Sequence, residues 1–185
     1  IKAGEFHPPL TAREHSQYHV GTALSRIELK IAMRIAEEAL GEAETWSGIA
    51  TLYGHPYPEA EIDHAWRQLL FSQHHDSITG TSNDQSYLDL LTHLREALEE
   101  GISARRTATS NLAEEITTDG RAGTPVVVFN SLGHTRTDVV EVPFPHAFTG
   151  TRVRAFSDTG VRTPVAVVQR EAGKSARFLA EHVPG

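Results

Sequence analysis

The chain has 185 residues, of which 39% are apolar, and its formal net charge is −7. This length allows one domain or two small ones, and the apolar fraction lies far above that of a disordered chain. The acidic balance argues against a nucleic-acid surface, the absence of cysteine excludes disulfides and thiolate metal sites, and no apolar run reaches the roughly 18 residues of a membrane span.

The chain begins with a segment that lacks a hydrophobic period. Pro8 and Pro9 prevent a helix there, so we predict an extended lead-in over residues 1–21. From Thr22 large aliphatic residues recur at three- and four-residue spacing, which predicts an amphipathic helix that continues toward Leu52. Its predicted buried stripe consists of Leu24, Ile27, Ile31 and Ile35.

A second helix is predicted to begin at Pro58, because proline is favoured in the first turn of a helix. Its apolar stripe predicts that it runs into the polar residues 73–76. Residues 77–83 are rich in Ser, Thr and Gly, which is typical of a loop.

A third helix carries the clearest apolar stripe in the chain. Ser82 or Asn83 is the predicted cap, and the helix is expected to extend to about Thr117. Three helices with short connections predict an antiparallel three-helix bundle over residues 22–118. The stripe of the third helix consists of Tyr87, Leu90, Leu91, Leu94, Ala97, Leu98 and Ile102.

The last part of the chain, residues 119–185, changes to a period of two and to short apolar runs. A linker at 119–123 is followed by β-branched and aromatic residues, which indicate strands. We predict the beginning of an antiparallel β-sandwich, so the fold class is α+β. This part is too short to close a sandwich core, and we expect the chain to be a piece of a larger protein. The predicted strands are 126–129, 137–142, 152–156, 165–169 and 177–182, with a turn at 157–160.

Three residues with potential chemistry follow one another where the second helix is expected to end. His74, His75 and Asp76 offer imidazole and carboxylate groups, which are the zinc ligands available without cysteine. Adjacent residues of a helix point about 100° apart, so we expect one histidine to bind a metal while Asp76 faces a substrate. A His-His-Asp run is also compatible with an ordinary exposed helix end, so the longer pattern has to decide.

The longer pattern resembles a known signature. Residues 71–81 resemble the QHHD-(small)-(I/V)-(S/T)-G-T segment of glycoside hydrolase family 38, the class II α-mannosidases, with Ser77 at a position often occupied by Ala or Gly. Residues 18–26, followed by Lys30, are similar to the aromatic-Gly-Thr-Ser-Arg start of that family's helical domain. Residues 125–132 are similar to the start of its β-rich C-terminal half.

The resemblance implies roles for individual residues. His75 is expected to bind the catalytic zinc and Asp76 to contact hydroxyl groups of a bound mannose, with His74 as a supporting neighbour. From the loop composition itself, the hydroxyl groups of Ser77, Thr79 and Thr81 are expected to orient these groups. The other zinc ligands, the nucleophile and the acid/base residue of the family belong to an N-terminal barrel domain that this chain lacks. No catalytic residue is therefore expected within the chain.

The function that the resemblance implies is hydrolysis of terminal α-D-mannosides with retention of configuration. Expected partners are an α-mannoside or a mannose-containing oligosaccharide and the barrel domain of the same protein, but neither nucleic acid nor membrane. Because zinc needs three or four ligands, the isolated chain is expected to be inactive. The absence of cysteine favours a cytoplasmic, bacterial-type parent.

Two other functions remain open from the sequence. A metal-dependent phosphohydrolase of the His-Asp type would need further ligands, for which His64 and Asp89 are candidates. A non-catalytic helical and β interaction module would make the His-His-Asp run incidental. Arg26 and Lys30, four residues apart on the first helix, are expected to face either solvent or a preceding domain.

Overall fold

The structure is a computed structural model that describes residues 22, 24–118, 123–144, 150, 152–171 and 173–185. The predicted lead-in over residues 1–21 and most of the predicted linker lie outside these ranges. The chain divides into two compact units, Ile1–Thr117 and Thr118–Gly185. The first is helical and the second contains an antiparallel sheet, which confirms the predicted α+β class. In the described ranges, every helix is too short or too polar to cross a membrane.

Within the described residues, the helical unit contains the three predicted long helices and one additional short helix. The second long helix ends earlier than predicted, and a separate turn of helix forms in the segment that we assigned to its end and to a loop. Consecutive long helices are antiparallel, so the first and the last run in the same direction. The helices are α1 (Ile27–Thr51), α2 (Glu59–Ser72), α3 (His75–Ile78) and α4 (Asp84–Glu114).

The helix starts follow the local chemistry of the sequence. The Asn83 side-chain oxygen accepts a hydrogen bond from the Ser86 amide at 2.9 Å, so Asn83 is the cap of α4. Pro58 immediately precedes α2, and Glu59 and Glu61 lie in its first turn, where their charge complements the positive end of the helix dipole. Short-range signals therefore located both starts within one residue.

The buried face of α1 is not the predicted one. Ile27, Ile31 and Ile35 are 43–53% exposed, and Leu24 is more exposed still. The helix instead buries a neighbouring row of leucines and alanines, because small side chains allow helix backbones to approach closely. The core of the bundle consists of Leu29, Ala36, Leu40, Ala65, Leu69, Leu90, Leu94 and Ala97.

The two long helices α1 and α4 approach each other tightly at Gly101. A Cβ atom at this position would lie 3.2 Å from the backbone of Ala39 and from the backbone nitrogen of Leu40. Helix backbones cannot move apart locally without disturbing the leucines packed on either side. Gly101 therefore sets both the distance and the register of the two long helices.

The β unit is built around one three-stranded antiparallel sheet in the order β1-β5-β4. The predicted strands at 137–142, 165–169 and 177–182 are confirmed, whereas the one at 152–156 shrinks to two residues that form a small hairpin around the predicted turn. The strands are β1 (Arg136–Pro143), β2 (Ala155–Phe156), β3 (Arg162–Thr163), β4 (Val165–Arg170) and β5 (Gly173–Val183).

The strand predicted at 126–129 is wrong. Residues 126–129 belong to no strand of the structure as described, and Val126 is exposed. The adjacent Asn130 amide nitrogen donates instead to the carbonyl oxygens of His134 at 2.8 Å and of Val183 at 3.2 Å. A β-branched run forms a strand only where another strand offers a ladder partner, and composition alone does not supply that information.

An ion network links all three strands of the sheet. Glu141 on β1 lies opposite Arg177 on β5 and accepts hydrogen bonds from it, the shortest at 2.8 Å. Arg170 at the end of β4 donates two hydrogen bonds to the same carboxylate at 2.8 and 2.9 Å. These hydrogen bonds, chiefly those from Arg170 and then Arg177, lower the pKa of Glu141 from 4.5 to about 2.

The packing at Gly101 predicts opposite effects of one substitution at two helical glycines. Gly41→Ala, where nothing lies within 4 Å of the new methyl group, should stabilise the helical unit by about 0.5–1 kcal/mol. Gly101→Ala should destabilise it, because overpacking costs about 1–3 kcal/mol and exceeds the gain in helix propensity. Urea unfolding followed by tryptophan fluorescence measures both, since Trp46 and Trp66 lie in this unit. Equal changes in the free energy of unfolding for the two variants would contradict the close contact of α1 and α4 at Gly101.

The lowered pKa of Glu141 predicts a pH-dependent contribution to the stability of the sheet. The contribution should be fully present above pH 4.5 and lost as the pH falls from 4.5 to about 2, because protonation removes the charge that both arginines bind. Glu141→Gln should speed hydrogen exchange of β1 and β5 amides at pH 7, and its difference from the unaltered chain should shrink below pH 4.5. Glu181→Gln, at an exposed position of β5, is the control. If the difference in exchange rate between Glu141→Gln and the unaltered chain does not change with pH, the ion network does not stabilise the sheet.

Candidate functional site

A break between α2 and α3 creates the local geometry of the His-His-Asp segment. His74 adopts an extended backbone conformation with φ −50° and ψ 139°, so α2 cannot continue through it. Its side-chain Nδ1 accepts a hydrogen bond from the Asp76 amide at 3.3 Å, and its carbonyl oxygen accepts from the amides of Ser77 and Ile78. His74 is therefore the cap of a new turn, on which His75 and Asp76 are the first two residues.

The break brings the three polar side chains together, contrary to our expectation from a continuous helix. Potential ligand atoms of His74, His75 and Asp76 all lie within 4.8 Å of one another. His75 Nε2 lies 3.5 Å from Asp76 Oδ1, and His74 Nδ1 lies 3.9 Å from Asp76 Oδ2. Ligands of a tetrahedral zinc ion are ~3.4 Å apart, so the cluster is somewhat wider than a closed metal site.

The two histidines differ in their surroundings. The His74 ring lies against the His75 ring, with centroids 4.3 Å apart and planes tilted by 32°. Because Nδ1 of His74 accepts the Asp76 amide, its neutral ring carries the proton on Nε2. His74 thus supports the turn, while the side chain of His75 is 80% exposed.

The loop after α3 is held by its own threonines and by a glycine. The hydroxyl groups of Thr79 and Thr81 lie 3.1 Å apart and hydrogen-bond to each other. Between them, Gly80 has φ +73°, and its amide donates to the Ser77 carbonyl at 3.0 Å. Within the described residues, the two hydroxyl groups brace this turn rather than contact His75 or Asp76.

The start of α1 lies against this loop. A Cβ atom on Gly80 would lie only 2.7 Å from the carbonyl oxygen of Ser25, so no other residue fits there without a backbone shift. The same Ser25 oxygen accepts a hydrogen bond from Lys30, whose pKa is lowered chiefly by burial. Lys30 therefore turns back to its own helix start, a contact that neither sequence-based alternative, solvent or a preceding domain, included.

Arg26 makes contacts within the bundle that the sequence did not predict. It folds onto the start of α4, where its guanidinium donates to Asp84 Oδ1 at 2.6 Å and to the Asn83 carbonyl at 3.3 Å. The same group lies 4.4 Å from the centre of the Tyr87 ring. The available signal was that Ser25 and Arg26 belong to one segment that resembles the family, residues 18–26, and Gly80 to another, residues 71–81.

The His-His-Asp segment is open to solvent on its described side. The side chains of His75 and Asp76 are each 80% exposed. A cavity of about 530 Å³ in the helical unit is lined instead by residues at the starts of α1 and α4, among them Arg26 and Tyr87. A site that performs chemistry normally excludes water, so His75 and Asp76 form at most one wall of such a site.

The residues of the rival phosphohydrolase site are not assembled. His64 Nδ1 lies 3.0 Å from a carboxylate oxygen of Glu100, and its Nε2 lies 3.3 Å from the Gln68 side chain. Asp89 accepts a hydrogen bond from Gln85 at 2.9 Å. Over the described ranges, neither His64 nor Asp89 joins the cluster formed by residues 74–76.

Comparisons with known proteins relate the helical unit to one family. The family model of the α-mannosidase middle domain matches residues 17–112, slightly more than half of the chain. α-Mannosidase 2C1 from mouse is 28% identical over 135 residues, and the human protein of that name is 27% identical. These matches cover 70% of this chain but only 12% of either relative.

A solved structure shows the same fold. The crystal structure of an α-mannosidase from Enterococcus faecalis V583 superposes with a TM-score of 0.63 at 21% sequence identity, covering 89% of this chain and 23% of that chain. The helical unit, the turn that carries the family signature (residues 74–81, called the signature turn below) and the sequence match to the middle domain agree with one another. The chain therefore belongs to the α-mannosidases of glycoside hydrolase family 38, and residues 17–112 are their middle domain.

Proposed function

We propose that this chain supplies one wall of the active site of a zinc-dependent, retaining α-mannosidase that hydrolyses terminal α-D-mannosides. The observation that carries the proposal is the helix break at His74, which presents His75 and Asp76 side by side on the surface of an α-mannosidase middle domain. Middle-domain membership alone would be compatible with a purely structural unit. Two adjacent, exposed polar side chains of these types favour a site.

His75 is the proposed zinc ligand. An imidazole nitrogen is a preferred ligand of zinc where cysteine is absent, and the His75 side chain is highly exposed. His74 supports it by capping the turn and by lying against its ring, which limits the orientations that His75 can adopt. Thr79 and Thr81 support the same turn from its other end.

Asp76 is the proposed sugar contact. Its carboxylate can accept hydrogen bonds from two neighbouring hydroxyl groups, as a hexose presents them. Because Asp76 Oδ1 lies 3.5 Å from His75 Nε2, a hydroxyl group close to His75 also comes within reach of Asp76. Charge-assisted hydrogen bonds of this kind would orient the sugar and discriminate among hydroxyl configurations.

The remaining catalytic groups are proposed to lie in a preceding barrel domain. There, one carboxylate attacks the anomeric carbon, and a second protonates the leaving oxygen and later deprotonates the attacking water. When bound, zinc would supply Lewis-acid binding of sugar hydroxyls in a distorted ring. His75 and Asp76 contribute binding and orientation, so the chain alone is expected to lack tight zinc binding and activity.

The proposed partners are an α-mannoside or a mannose-containing oligosaccharide and the barrel domain of the same protein. The chain spans about 12% of the length of the curated relatives that it matches, so these partners belong to the whole protein. A cytoplasmic location, expected from the absence of cysteine, stays a prediction.

Substitution of His75 tests the proposal in the full-length enzyme. His75→Ala should lower zinc affinity and hydrolysis of nitrophenyl α-mannoside by more than roughly 100-fold, because even outer partners of metal ligands contribute about 10–100-fold. Asp76→Asn should retain zinc but weaken substrate binding and turnover, because the carboxylate is lost as an acceptor. Metal content after dialysis and steady-state kinetics distinguish the two effects.

His64→Ala is the matched control, since His64 is an exposed histidine of the same bundle that the phosphohydrolase alternative would require. It should leave zinc content and activity unchanged. Equal loss of metal in His64→Ala and His75→Ala would favour the phosphohydrolase instead. Release of nitrophenol by the 185-residue chain alone would disprove the composite site.

A further inference from the structure

Two sequence segments that are more than fifty residues apart meet at one end of the bundle. Ser25 and Arg26 precede α1, and the loop with Gly80 precedes α4. We propose that Arg26 is a positioning residue for the signature turn: it holds the loop that follows α3 and thereby sets the orientation of His75 and Asp76. This inference rests on the proposed function, since it concerns the same site.

Three contacts of Arg26 converge on the first turn of α4. The guanidinium donates to the Asn83 carbonyl at 3.3 Å and to Asp84 Oδ1 at 2.6 Å, and it lies 4.4 Å from the centre of the Tyr87 ring. A planar guanidinium can make directed hydrogen bonds and a cation–π contact at once, which a lysine ammonium cannot reproduce. The contacts therefore specify the direction of the chain at Asn83, where the signature loop ends.

The backbone at the start of α1, on the other side of this contact, is also constrained. Arg26 itself has a left-handed conformation, φ 48° and ψ 58°, which is unfavourable for a residue with a side chain and persists only where its surroundings hold it. This conformation points the Ser25 carbonyl oxygen at Gly80, the position where a Cβ atom would lie 2.7 Å away. Lys30 donates to the same oxygen and keeps it in place.

The loop transmits this placement to the site through short hydrogen bonds. The Gly80 amide donates to the Ser77 carbonyl at 3.0 Å, and the Ser77 amide donates to the His74 carbonyl at 2.8 Å. Ile78 packs against the core of the bundle. The turn that carries His75 and Asp76 is thus fixed at its start by His74, in its middle by the core, and at its end by Ser25 and Arg26.

The energetics favour positioning over a general contribution to stability. The Asp84 side chain is 95% exposed, whereas that of Arg26 is 25% exposed. Ion pairs with one fully solvated partner add little to the free energy of folding. An unfavourable backbone conformation and a solvated ion pair contribute little to the stability of the fold. Together, however, they determine the direction of the chain where the loop meets α4.

Hydrogen exchange of the 185-residue chain tests the structural part of the proposal without zinc or substrate. In Arg26→Ala, the amides of Ser77, Ile78 and Gly80 should exchange at least about tenfold faster, because local opening of the turn no longer breaks the Arg26 contacts. The amides of Leu90 and Leu94 in α4 should keep their rates, which shows that the bundle is intact. Arg26→Lys should lie between Arg26→Ala and the unaltered chain.

Arg34→Ala is the matched control, because Arg34 is another arginine of α1 with an acidic partner, Glu37, at 2.8 Å. It should leave all of these rates unchanged. Equal rates at Gly80 in Arg26→Ala and Arg34→Ala would overturn the proposal. A uniform increase that includes Leu90 and Leu94 would also overturn it, because Arg26 would then be a residue of general stability.

Kinetics of the full-length enzyme test the functional part. Arg26→Ala should lower kcat by about 10–100-fold, since small displacements of positioned groups have effects of this size, while zinc content is retained. Arg26→Lys should recover part of kcat, and Arg34→Ala should behave as the unaltered enzyme. If Arg26→Ala leaves kcat unchanged in an active enzyme, Arg26 has no positioning role. If the unaltered full-length protein has no α-mannosidase activity, the proposed function is wrong, and the hydrogen-exchange experiment alone then tests whether Arg26 holds the turn.

A pair of glycine variants tests the same contact from the other side. Gly80 and Gly54 both have positive φ, +73° and +87°, but nothing lies within 4 Å of a Cβ atom at Gly54. Gly80→Ala should therefore speed amide exchange at Ser77 and Ile78, whereas Gly54→Ala carries a comparable backbone strain and should not. Equal exchange in the two variants would show that the Ser25 contact does not hold the turn.

Discussion

The close contact between α1 and α4 is the constraint on which the helical unit depends. At Gly101 the two backbones approach so closely that an added Cβ atom would lie 3.2 Å from the backbone of Ala39 and Leu40, so any side chain there would push the tightly packed helices apart. Their parallel direction then decides what meets at the bundle end. Along the helix axes, Arg26 lies about 21 Å from Leu40 and Asp84 lies about 26 Å from Gly101, at ~1.5 Å rise per residue. Arg26 consequently reaches Asp84.

The signature turn depends on this arrangement because it lies between α2 and α4. Its two ends are carried by different helices, and the core leucines hold those helices together. The break at His74 then converts a helix end into a short, separately capped turn. Imidazole and carboxylate groups that would diverge on a continuous helix lie within 4.8 Å of one another as a result. The backbone conformation of one residue, His74, whose ψ of 139° is far from the helical value, thus separates an ordinary helix terminus from a candidate ligand cluster.

The β unit is held together in a different way. Its sheet has three strands, and one carboxylate, Glu141, connects them through two arginines. Hydrogen bonds from both guanidinium groups lower the pKa of this carboxyl to about 2, so the network is intact at neutral pH. Charge pairing across strands supplements a small sheet in which some large apolar residues, such as Val139 and Leu179, stay exposed.

The sequence by itself determined the parts of this protein that depend on short-range chemistry. Caps, helix-forming periods and strand alternation are local, so α4 begins at Asn83 as predicted, and three of the five predicted strands form. The family followed from the segment 71–81, because a long run of specific residues is read without knowledge of the fold. Tertiary structure decided which face of α1 is buried, because the closely packed helices bury small residues such as Ala36, Ala39 and Ala43 and leave the isoleucines of the hydrophobic period partly exposed. It also decided that residues 126–129 form no strand with any described segment and that Arg26 meets the loop before α4, since contacts between distant residues depend on the packed structure.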